Sequence, residues 1–160
     1  MRRRRPVALA IALAAVTLIA CTNKDAAAVN AAPRLSDGSY MAAVARICSH
    51  AVAAFNTATT LGQTPTRAQT ADFLDGIDAT FATMVTALHA VPARPADQAA
   101  VTSWLTDWDA YVTFGHTYAD AVRAGQDAVV QHDQAARQGA LRRRLRAFAT
   151  ANRLPSCKFP

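Results

Sequence analysis

From Ser36 onward, apolar residues recur at spacings of three and four, the pattern of helices that bury one face. The first such segment runs from about Ser39 to Thr60, with Tyr40, Val44, Ile47, Ala51, Phe55 and Ala58 as its stripe and Gly62 as its stop. A second opens after Thr64-Pro65-Thr66, where Thr66 is suited to N-cap a helix. It places Phe73, Ile77, Phe81, Met84, Leu88 and Val91 on one face before Pro92. The third starts near Pro95, which a first helical turn tolerates, and carries Val101, Trp104, Trp108, Tyr111, Gly115, Tyr118 and Val122 up to Gly125. The fourth begins near Asp127, turns Val130, Leu141, Leu145 and Phe148 inward, and ends near Asn152 ahead of Pro155. No segment sustains strand-like alternation. Residues 36–160 are therefore expected to form an all-α domain, an up-down-up-down four-helix bundle with short links.

The residues before this domain follow a different rule. Arg2 to Arg5 form a basic head, and Val7 to Ile19 an apolar run of about 13 residues, against the roughly 20 needed to span a bilayer. Leu18-Ile19-Ala20-Cys21 then matches the lipobox of bacterial lipoprotein precursors. Residues 1–20 read as a cleaved lipoprotein signal peptide, with Cys21 as the residue that receives diacylglycerol. Two acyl chains hold a protein at a membrane where one does so only marginally. Residues 21–35, poor in apolar side chains of any size, read as the lipidated cysteine and a short flexible tether. The expected location is the cell membrane, lipid-anchored on its extracytoplasmic face.

Export alters the reading of charge. The chain carries a formal +6, but four of its 17 basic residues belong to the signal, leaving 13 against 11 acidic residues, a formal +2. The basic balance is thus partly an export feature, and no nucleic-acid partner is implied. Every acidic residue is Asp. With Cys21 committed to lipid, Cys48 and Cys157 remain, and an exported chain lives where thiols oxidise. One intramolecular pairing is available, and a Cys48–Cys157 disulfide is expected. In an antiparallel bundle, the first and fourth helices are neighbours, so the tail after the fourth helix would fold back onto the first.

Several features together carry a resemblance. They are the lipobox at Cys21, Cys48 in the first helix, Pro92 and Pro95 in a link, and Trp104 in the third helix. Ala124-Gly125-Gln126-Asp127 between helices and a terminal Leu154 to Cys157 complete the set. This arrangement resembles the small secreted or lipidated helical-bundle proteins of actinobacteria. The resemblance implies location and fold; it implies no activity, and no functional residue carries over.

The candidate chemistry is sparse. Without Glu there is no HExxH, and no GxSxG elbow, P-loop, GxGxxG or CxxC is present. No catalytic residue, metal ligand set or cofactor is assigned, and a non-enzymatic role is expected. His116 and Asp120 share a helical side, but two ligands fall short of the three or four that a zinc site uses. Asp72, Asp75 and Asp78 step by three and are expected to diverge around their helix.

Two surfaces remain as binding candidates. The aromatic row Trp104, Trp108, Tyr111 and Tyr118, with His116 beside it, is either the core of the third helix or the lining of a pocket for an apolar ligand. The last helix is basic, and Arg142, Arg143 and Arg146 point away from its apolar face. They suit either a solvated face balanced by aspartates or contact with anionic lipid headgroups. The leading expectation is a membrane-anchored envelope lipoprotein with a non-catalytic helical domain that binds a partner the sequence does not identify, either a protein or another envelope component. The alternative is a carrier of a small apolar ligand such as lipid or haem, which requires a cavity between the second and third helices.

Overall fold

The computed structural model describes residues 31–57 and 61–158. The expected signal peptide, the lipidation site Cys21, most of the tether and Ala58 lie outside the described residues. Four helices follow in order: α1 Gly38–Thr57, α2 Arg67–His89, α3 Gln98–Ala124 and α4 Asp127–Ala151, with a closing 3-10 turn at Pro155–Cys157. Among the described residues there is no strand, and no helix is long and apolar enough to cross a membrane. The domain is an all-α four-helix bundle.

Helix ends follow local chemistry. Thr66 N-caps α2 in a full capping box: its hydroxyl accepts from the Gln69 amide, and the Gln69 side chain accepts from the Thr66 amide. Gly125 ends α3 at φ 74°, a left-handed cap that glycine adopts without steric cost. The start of α3 departs from expectation. Pro95 sits in the preceding turn, and Asp97 is the cap residue without capping. Its carboxylate is used elsewhere, accepting from the amides of Ser36 and Asp37 and from the Ser36 hydroxyl.

Each helix packs on its sequence neighbours, and the core runs through Val44, Phe81, Leu88, Trp104, Trp108, Leu145 and Phe148. One expected contact is absent. Among the described residues, no Cα of α1 comes within 8 Å of one in α4. The seam between them is filled by chain from outside the helices. Leu35, at the edge of the expected tether, is buried in the core beside Leu154 and Cys157. Asn152 fastens the segment before α1 by accepting from the Leu35 amide and donating to the Pro33 carbonyl. Cys157 does fold back onto α1, where its sulfur lies 2.11 Å from that of Cys48, as a disulfide.

The separation of α1 from α4 goes with corrections at three stripe positions. Phe55 is 43% exposed, and Val130 and Leu141 are only half-buried. With α1 out of reach of α4, neither helix covers the other's flank there.

Candidate functional site

The row of aromatics on α3 divides in two. Trp104 and Trp108 are buried, and Trp104 stacks on Phe148 of α4 with ring centroids 4.6 Å apart. They are core residues, with Trp104 also edging a groove of about 280 Å³ beside Ala31–Pro33. One turn further on, Tyr111, Phe114 and Tyr118 face a cleft of about 570 Å³. Its opposite wall is Leu74, Ile77, Asp78 and Phe81 of α2; Phe55 of α1 and Gln138 of α4 close its ends. Phe81 meets Tyr111 edge-on at 5.8 Å, and Phe114 lies parallel to Tyr118 at 6.2 Å. The Tyr118 hydroxyl accepts a hydrogen bond from Gln131 Nε2. Thus two of the expected lining residues border this cleft and both tryptophans do not. His116 is exposed and is not part of the lining.

Asp78 is the one ionisable carboxylate in this apolar lining, and its residue is 5% exposed. Its Oδ2 finds no hydrogen-bond partner among the described residues. Burial pushes its pKa from 3.8 up to about 6; nearby His116 offsets part of that rise and Asp75 adds to it. The carboxylate reaches this place because residue 115 is glycine: a Cβ there would overlap the Asp78 side chain. Tyr111 is likewise raised, first by burial, with Arg142, Asp78 and Arg146 as the charges acting on it.

Sequence reasoning missed Asp78, Leu74 and Phe114. The signal for Asp78 was available. It lies four residues after Leu74 and three before Phe81, a position on the apolar face where an aspartate is out of place.

The remaining polar groups are distributed differently from expectation. His116 does not pair with Asp120, whose carboxylate is bound by Arg123. Instead, single ligand atoms of Asp75, Asp78 and His116 lie within 4.8 Å of one another. Asp72 and Asp75, expected to diverge, both meet Arg123, which also holds Asp120. The stagger of three is compensated by the reach of one guanidinium from α3.

On α4, Arg144 is neutralised by a bidentate pair with Asp107 at 2.6 and 2.8 Å. Arg142 and Arg143 are exposed, and Arg146 donates to the Lys158 carbonyl. His89 pairs with Asp109 at 3.1 Å, and His50 borders a separate groove of about 600 Å³ lined by Ala51, Ala54, Ala79 and Met84. Protein-family models, curated proteins and solved structures alike contain no match to this chain.

Proposed function

We propose that this chain is an envelope lipoprotein, anchored through Cys21, whose helical domain binds a small apolar ligand. The observation that carries the ligand reading is the cleft of about 570 Å³ between α2 and α3, walled by Leu74, Ile77, Phe81, Tyr111, Phe114 and Tyr118. Its size falls within the range of small-molecule sites, and its mix of apolar wall and few polar groups is what such sites use. A rigid module for protein partners needs no such cleft between two of its helices. The anchoring reading is supported by the lipobox Leu18-Ile19-Ala20-Cys21 behind a basic head and a short apolar run. The lipid would fix the domain at the membrane, and the residues after Cys21 would give it reach.

Each half has its own test. Labelled palmitate should enter the wild-type chain in cells and not the Cys21→Ser variant; equal labelling of both refutes the anchor. A neutral fluorescent apolar probe, N-phenyl-1-naphthylamine, should bind the full chain in nanodiscs saturably above the signal of empty nanodiscs. Ile77→Trp, which fills the cleft, should abolish that binding. Saturable binding that Ile77→Trp leaves intact, or none at all, refutes the ligand reading.

A further inference from the structure

The cleft presents a combination that a site for purely apolar molecules does not need. Its walls are mostly hydrocarbon and aromatic, with Asn56 and Gln138 as neutral polar groups, yet one ionisable carboxylate is set among them. Asp78 is nine-tenths buried and its Oδ2 is without a hydrogen-bond partner among the described residues. A buried carboxylate left unpaired is costly, and the cost is relieved when a cation with hydrogen-bond donors meets it. No arginine or lysine is among the residues lining the cleft. Phe81, Tyr111, Phe114 and Tyr118 line the same cleft as Asp78, and aromatic rings attract cations as well as apolar groups.

Resting on the small-ligand reading above, we propose that the cleft selects hydrophobic amines: compact organic cations whose ammonium group sits on Asp78 and whose apolar body lies among the four aromatic rings. The carboxylate supplies charge and acceptor oxygens for the ammonium protons, and the rings supply the dry wall that makes the contact strong. Gly115 acts as a positioning residue: only without a side chain does it leave room for the carboxylate against α3.

The nearby trio of Asp75, Asp78 and His116 does not compete as a metal site on the same footing. Arg123 already occupies Asp75, and His116 stands exposed outside the lining. With Asp75 engaged by Arg123, the trio lacks the three available ligands that a metal site uses, whereas an ammonium needs Asp78 alone.

The test compares 4-phenylbutylamine with 4-phenylbutanol, which share an apolar body and differ in charge. The full lipidated chain in nanodiscs of zwitterionic lipid is titrated calorimetrically, with empty nanodiscs subtracted. The amine should bind about tenfold more tightly or better, the range expected of a charge-assisted hydrogen bond. In Asp78→Asn, shown folded by its helical circular dichroism, the amine should lose its advantage over the alcohol. Equal, saturable binding of amine and alcohol to the wild type overturns the amine proposal and leaves the small-ligand reading standing. A preference for the amine that survives in Asp78→Asn also overturns it. If neither compound saturates, this proposal falls, and if the neutral probe fails as well the small-ligand reading falls with it.

Discussion

Replacing Asp78 by asparagine removes the charge while nearly keeping the shape, and its effect on stability follows from the carboxylate's environment. The Asp78 pKa stands at about 6 in the folded domain against an ordinary 3.8, with burial as the main cause. At about 1.4 kcal/mol per pKa unit, this corresponds to roughly 3 kcal/mol of penalty on the folded state once the group is ionised. The cleft is open to water along one side, and the new amide also needs solvation, so a net gain of about 1–2 kcal/mol is expected.

The sign follows from proton binding. Between pH 4 and 6 the folded chain holds this proton more firmly than the unfolded chain, so stability falls as pH rises through that window. The wild type therefore carries nearly the full penalty above about pH 6 and loses the last of it below the ordinary value of 3.8. Asp78→Asn should be the more stable protein at about pH 7.5, and the two should converge at about pH 3. Asp37 has the opposite dependence, because hydrogen bonds from the Ser39 side chain and the Tyr40 amide hold it below its usual value. It is common to both proteins and cancels in the difference.

Urea denaturation with the disulfide intact reads this directly as a midpoint shift of about 0.5–1.5 M at unchanged slope. A destabilised variant at pH 7.5, or an equal gain at both pH values, would refute the reasoning.

Three further outcomes bear on the scaffold. Reducing the Cys48–Cys157 bond, which closes a separation of 109 residues, should cost about 2–4 kcal/mol, read as a lower urea midpoint with reductant present. Asn152→Ala should cost about 2–3 kcal/mol, because the buried Leu35 amide loses its acceptor. Faster amide exchange at Leu35 would accompany the loss, and exchange unchanged there would contradict the role given to Asn152. Thr66→Ala should cost about 1 kcal/mol by opening the capping box, and a thermal melt that does not move would remove the cap from the account.

What was legible in the sequence is what local chemistry decides. Thr66 with Gln69 marks the start of α2, and Gly125 marks the end of α3, because each acts on its own turn. The Cys48–Cys157 pairing followed from compartment and parity and needed no geometry. What was not legible depends on partners far away in the chain. Asp97, which the spacing of apolar residues does not mark, binds the Ser36 and Asp37 amides 61 and 60 residues back and so docks the N-terminal segment. The same holds for Asn152 and Leu35, which seal the α1–α4 seam from outside the helices. Periodicity placed Tyr111 and Tyr118 on the same stripe as Trp104 and Trp108; whether that stripe meets core or cleft depends on how far α1 reaches, which no helical repeat encodes.

Asp78 and Gly115 tie these strands together, because neither is what packing alone would select. A leucine at 78 would continue the stripe of Leu74 and Phe81, and an alanine at 115 would favour the α3 helix by about 1 kcal/mol. The two substitutions also constrain one another: any Cβ at 115 would overlap the Asp78 carboxylate, so the aspartate is accommodated only with the glycine opposite. Two unfavourable choices that fit each other, on facing helices and at the wall of the same cleft, are hard to derive from fold stability. The proposed amine site would account for both, since it must hold a charge in an apolar setting, and local rules are often broken at functional positions. The stability gain expected of Asp78→Asn and the loss of amine preference expected of the same variant are therefore two readings of one arrangement. A variant that gained stability and kept its preference would separate them, and would leave the carboxylate without a role.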